Sequence, residues 1–219
     1  MKKWTDRIET PIKAELICYD VNGIQIVFGV TEEKELKLFH FSRAPFDAEN
    51  LCRKPDNWWP MEGMREAQIK ESFQLVQVNF SGYNRPYEKH GNKYIVTAPG
   101  FMLKFDSISE ERDENGDVLR IVQKDGVTGA KVESVMQFYD GLSIARMYNT
   151  VTNEGNEDQT LEYISSFSYW GIEKEQKEGI PEFISSDDKM SMVVVHNGWQ
   201  KELTVKKYRF ADLGMAQTQ

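Results

Sequence analysis

The sequence predicts an all-β fold, a large antiparallel β-sandwich, on three observations. Short apolar runs recur with a period of two rather than about 3.6, the signature of strands with one face buried. β-Branched and aromatic residues fill those runs. The gaps between them hold Asn-Gly and Asp-Gly pairs, whose tolerance of positive φ suits tight hairpin turns.

In chain order, Ala14 to Tyr19 and Ile24 to Val30 flank Asp20-Val21-Asn22-Gly23 and read as a hairpin. Leu36, Leu38 and Phe39 to Phe41 suggest a third strand. Ser42 to Ala67 follows, broken by Pro45, Pro55, Pro60 and Gly63, and a connection of that length is usually functional or disordered. Strand-like runs then resume at Gln74 to Phe80, Tyr94 to Thr97, Met102 to Ile108, Val118 to Gln123 and Lys131 to Phe138, with Asn115-Gly116, Asp125-Gly126 and Asp140-Gly141 as punctuation. Ser143 to Thr152, Gln159 to Tyr169, Met190 to His196 and, after Asn197-Gly198, Gln200 to Tyr208 complete about a dozen strands, the content of a large sandwich. Ile172 to Glu182 is charged and reads as a short helix or a loop. With no composition shift along the chain, the expectation is one domain over 1–219, its core at about 14–210, forming the N-terminal part of a longer protein because the last residues carry neither cap nor closing strand.

Composition narrows the function. With 27 basic against 35 acidic residues the net charge is −8, which repels a phosphate backbone, so nucleic acid is not an expected partner. No run has the length of a membrane-spanning helix, and Trp4 to Lys13 lacks the apolar stretch of a signal peptide. The two cysteines, Cys18 and Cys52, imply no disulfide framework, so a cytoplasmic location is expected.

The usual catalytic signatures are missing. His40, His90 and His196 show no metal-ligand spacing, and no nucleophile elbow, phosphate-binding loop or dinucleotide fingerprint occurs, so neither metal nor cofactor is expected. His196 reads as a rim residue bonded to a turn, and Trp170 and Trp199 as core or edge packing. The sharper feature is Asp56-Asn57-Trp58-Trp59-Pro60, with Arg65 behind it. Adjacent tryptophans on a loop can offer flat apolar faces to a sugar, or pin the loop to the sandwich or to a neighbouring subunit.

Ser143-Ile144-Ala145-Arg146-Met147-Tyr148-Asn149-Thr150-Val151-Thr152-Asn153-Glu154-Gly155, followed by Thr160-Leu161-Glu162-Tyr163-Ile164-Ser165-Ser166, resembles a passage in the N-terminal domains of glycoside hydrolase family 36 α-galactosidases. There a strand with an Arg leads into V-x-N-x-G, and the next strand runs T-L-x-x-x-x-S. The opening strands around Gly29-Val30, the Gly63-Met64-Arg65-Glu66-Ala67 segment and the late His196-Asn197-Gly198-Trp199 resemble further parts of the same domain.

The resemblance implies a supersandwich of the galactose-mutarotase kind, preceding a catalytic (β/α)8 barrel that carries the family's aspartates. The family's K-W-D nucleophile motif has no counterpart here, so no catalytic residue carries over. What it implies for this chain is a supporting role: contact with the barrel of the same protein, a homo-oligomer, and an α-galactoside approached by Trp58, Trp59 and Arg65. Gly63 stands where the family often has an acid two residues before that Arg, which weakens the case for direct sugar contact. A stand-alone carbohydrate-binding or oligomerisation module is the alternative. The mutarotase fold itself uses a His and a Glu for ring opening, and neither His90 nor His196 sits in an epimerase-like context.

Overall fold

A computed structural model describes residues 1–4, 13–48, 73–83, 98–169 and 191–209. The fold is an all-β antiparallel sandwich. The chain divides into two compact units, Met1–Trp170 and Gly171–Gln219.

In the first unit, β1 (Lys2–Trp4), β2 (Ala14–Val21), β3 (Ile24–Thr31) and β4 (Leu36–Ser42) form one sheet in chain order. The expected first hairpin is there: Val21 pairs with Ile24, and Asn22 and Gly23 close it with φ of 52° and 79°. Two successive positive φ values match the right-handed twist of the flanking strands, which is why Asn-Gly terminates them here. β1 lies in a stretch that the sequence marks as polar. It is held by pairing Lys2–Trp4 with Cys18 to Asp20 rather than by apolar pattern.

A second four-stranded sheet holds β6 (Lys104–Arg112), β7 (Asp117–Lys124), β8 (Ala130–Phe138) and β9 (Ala145–Asn153), joined at Asn115-Gly116, Asp125-Gly126 and Asp140-Gly141. β6 runs past the expected Ile108, because Ser109 to Arg112 keep pairing with β7 although their side chains are exposed. A short helix α1 (Ala98–Met102) precedes it. The run expected at Gln74 to Phe80 is a strand only at β5 (Val78–Phe80), and that expected at Gln159 to Tyr169 only at β10 (Leu161–Ile164). These two pair with each other across a register shift. Tyr94 to Thr97, Ile172 to Glu182, Cys52 and most of the long connection lie outside the described residues.

Side-chain alternation places the core. Tyr19, Val21, Ile26, Phe28 and Leu38 of the first sheet pack against Leu119, Ile121, Met136 and Phe138 of the second. At about 1.5–3 kcal/mol per large apolar side chain fully buried, these contacts are the main force holding the layers together. Val78 and Phe80 close one end against Ala130 and Val132. The outer face of the first sheet is apolar as well, with Cys18, Val27 and Phe39 buried among Ala14, Leu16, Phe46 and Phe73. Gly29 makes room there: a Cβ on it would run into the Phe39 ring.

Polar contacts stitch the two sheets at both ends. At one, Asn22 Nδ2 donates to the Tyr139 carbonyl (2.7 Å), Ser143 Oγ donates to the Asn22 carbonyl (2.7 Å), and the Met1 α-amino group bonds Asp117. At the other, Phe105 N donates to the Lys34 carbonyl (2.6 Å), and Glu35 bridges Lys37 (3.2 Å) and Lys104 (3.4 Å). Lys37 is 2% exposed, so its ammonium is kept inside by that carboxylate; a buried charge persists only when paired.

The second unit contributes a hairpin, β11 (Ser191–Gly198) and β12 (Lys201–Arg209), whose strands pair only with each other among the described residues. Its turn differs from the expected Asn197-Gly198. Gly198 pairs with Lys201, so Trp199 and Gln200 form the tip, with Gln200 at φ 61°. The Asn197 carboxamide is drawn inward instead, its Oδ1 accepting from Leu203 N (3.0 Å) at a register shift where Leu203 takes φ 54°. That bond satisfies a main-chain group which the bulge takes out of the ladder.

Candidate interaction surface

The residues that the sequence nominates for sugar contact, Trp58, Trp59 and Arg65, lie outside the described residues, as do His90 and Trp170. Within the described chain, the most distinctive exposed apolar surface is on β11 and β12. The run Met192-Val193-Val194-Val195 is apolar on both sides, and pairing decides which side is used. Val195 faces Val205 and Val193 faces Lys207 across the ladder, so these side chains share one face. Their exposures are 57% for Val193, 49% for Val195 and 62% for Val205, whereas Met192, Val194, Thr204 and Tyr208 on the opposite face are half-buried.

Trp199 at the tip is 93% exposed, which overturns its reading as core or edge packing; the shifted turn lifts the indole off the strand ladder. Leu203 adds a further exposed side chain beside the bulge. Lys201, Lys206, Lys207 and Arg209 outnumber Glu202 on the hairpin, opposite in sign to the chain's net −8. An exposed apolar strip with Lys207 beside Val193 suits a partner surface that is apolar at its centre.

The polar groups of the sandwich serve structure. On the outer face of the second sheet Arg120 donates to Glu111 (2.9 Å) and Glu133 (3.0 Å), and Arg146 lies over the Tyr148 ring at 5.5 Å. Lys124 and Lys131 hold Glu154 at 3.2 and 3.4 Å, and Lys124 chiefly keeps that carboxyl below its usual pKa. Asp117 is lowered first by the Met1 α-amino group and then by Arg112, and Asp113 first by the Asn115 main-chain N–H. Tyr19 is raised, mainly by burial and then by Glu110, which accepts its hydroxyl proton at 3.1 Å. Each shift has a neighbour in the fold as its cause, and none marks a group aimed into a cleft.

Cavities are small. One of about 130 Å³ lies among Phe80, Ala130, Val151, Asn153, Gln159 and Leu161, and one of about 10 Å³ beside Ser134 and Asn149. A pocket for a small-molecule ligand usually has roughly 300–1,000 Å³. Among the described residues no group of three or more His, Cys, Asp or Glu could hold a metal ion, and no helix is long and apolar enough to cross a membrane.

The residues carrying the family resemblance have packing roles. Asn153 turns the chain after β9, its Nδ2 donating to the Glu157 carbonyl (2.7 Å) and its Oδ1 accepting from Gly155 N (2.9 Å). Gly155 lies so close to Gly129 that a Cβ on the latter would be 2.5 Å from its Cα. Asn149 ties β9 to the chain beyond β10 through the Ser165 and Ser166 carbonyls at 2.6 and 3.0 Å. Sequence reasoning missed the apolar face of the hairpin, because three consecutive valines look the same whether one side or both are covered. The sequence matches no protein-family model and no curated protein.

Proposed function

We propose that this chain is the non-catalytic N-terminal domain of an α-galactosidase-like glycoside hydrolase, in a cytoplasmic setting. Its sandwich supports subunit assembly and the substrate site of a (β/α)8 barrel in the same protein, with Trp58, Trp59 and Arg65 on the loop that approaches the α-galactoside. The observation that carries the reading is the exposed Val193, Val195 and Val205 face with Trp199 beside it, a surface suited to another folded body. Retaining hydrolysis needs two carboxyls about 5 Å apart and aimed at one bond. The carboxylates of Glu111, Asp117, Glu133 and Glu154 are instead each bound to a cation of the scaffold. A second reading, a stand-alone carbohydrate-binding or oligomerisation module, is favoured by the exposure of Trp199.

The test is hydrolysis of p-nitrophenyl α-galactoside by this chain alone and by a longer product of the same gene. Activity confined to the longer protein supports the accessory role. Turnover by this chain alone overturns it. Failure of the longer protein to act, together with sugar binding or self-association lost in Trp199→Ala, selects the second reading.

A further inference from the structure

Three Asn-Gly dipeptides occur in the chain, at 22–23, 115–116 and 197–198. At such a pair the glycine nitrogen can attack the Asn Cγ. The N–Cγ bond closes a succinimide, the Cγ–Nδ2 bond breaks, and ammonia leaves with the former glycine amide proton. Water then opens the ring at either carbonyl, leaving Asp or iso-aspartate. The dipeptide is the same at all three places, so the surrounding fold sets the difference in rate.

At the first, both reacting groups are held: Asn22 Nδ2 donates to the Tyr139 carbonyl (2.7 Å) and Gly23 N to Asp20 Oδ1 (3.2 Å). At the second, Asn115 N and Gly116 N both donate to Asp113 Oδ1 (2.8 and 3.0 Å), so the attacking glycine nitrogen is held, and Gly116 is buried beneath the Phe138 carbonyl. Both turns belong to four-stranded sheets. Asn197 is held differently. It sits at a register shift, and the Leu203 N–H bonds its Oδ1 (3.0 Å), which polarises Cγ toward attack. Among the described residues its Nδ2 makes no hydrogen bond. Its hairpin has no third strand among the described residues, and a lone two-stranded hairpin is marginal in water and opens at its ends far below the global unfolding free energy. Opening releases Gly198 from Lys201 and lets the Asn197 backbone turn toward its own side chain.

We infer that Asn197 is a site of spontaneous deamidation in the native protein, while Asn22 and Asn115 are protected by the fold. Iso-aspartate at 197 adds a main-chain atom to β11, so the His196–Thr204 and Gly198–Lys201 pairings no longer fit together. The reaction thus disturbs the hairpin that carries the exposed apolar face.

The experiment incubates the folded chain at mildly alkaline pH and follows each Asn-Gly peptide by mass after digestion, with isoaspartyl methyltransferase labelling to detect iso-aspartate. A parallel incubation is run in urea. The expected result is conversion at Asn197 more than about tenfold faster than at the other two, the ratio given by about 1.4 kcal/mol of difference in opening free energy, with the rates converging in urea. Conversion of Asn22 or Asn115 as fast as Asn197 in the folded chain overturns the inference. So does a lead for Asn197 that persists undiminished in urea, since the dipeptide's flanking sequence would then be the cause.

Discussion

The hairpins β2–β3 and β11–β12 are built from similar material, β-branched strands of similar length around an Asn-Gly pair, yet the fold uses them differently. In the first, Asn22-Gly23 is the turn, Phe28 and Ile26 are fully buried, and both neighbouring strands continue the sheet. In the second, Asn197-Gly198 is inside the strand, the tip is Trp199-Gln200, and the valines of one face remain exposed. The difference teaches that a turn dipeptide supplies permission rather than instruction. Asn and Gly tolerate positive φ at little cost, but strand pairing and side-chain bonding decide where the reversal falls.

The largest test of that contrast compares Phe28→Ala with Val195→Ala. Loss of a fully buried aromatic should cost about 3–5 kcal/mol by urea unfolding, and truncation of the exposed valine under about 0.5 kcal/mol. Comparable losses would mean that the hairpin face is covered in solution. Next, Gly29→Ala forces the Phe39 ring aside and should destabilise by roughly 1–3 kcal/mol, the range for overpacking.

Smaller effects separate the two turns. Gly23→Ala places a side chain at φ 79° and should cost about 1–2 kcal/mol, while Gly198→Ala, with no positive φ and nothing within 4 Å of its new Cβ, should change stability by less than about 0.5 kcal/mol. An equal cost at both would show that Asn197-Gly198 is the turn in solution. The smallest effect concerns acid. Asp113, Asp117 and Glu154 have folded pKa values below their unfolded ones, so their contribution is present above about pH 4 and is lost as pH falls through the folded values. Asp117→Asn should therefore make melting temperature less sensitive to pH on the acid side. All three groups belong to the first unit.

Much of the sandwich is legible in the sequence, because burial on one face requires alternation. β7, read from Val118 to Gln123, is found at Asp117–Lys124, and β8, read from Lys131 to Phe138, at Ala130–Phe138. Two of the misses have a common cause. Lys2 to Trp4 and Ser109 to Arg112 are strands that lie at sheet edges and pair through the main chain, and such pairing leaves no apolar pattern. The candidate surface was less legible. The valines of β11 announce a strand, but which of them stay exposed depends on what lies across each face.

The sequence by itself determined the antiparallel β architecture, three of the tight turns in the second sheet and the hairpin at Asn22-Gly23, because strand alternation and positive-φ tolerance are local properties. Tertiary structure alone decided three other features: the sharing of Glu35 between Lys37 and Lys104 of the other sheet, the displacement of the late turn to Trp199-Gln200, and the apolar face of the last hairpin. Each depends on groups brought together across strands or sheets, and a local pattern of residues does not carry that information.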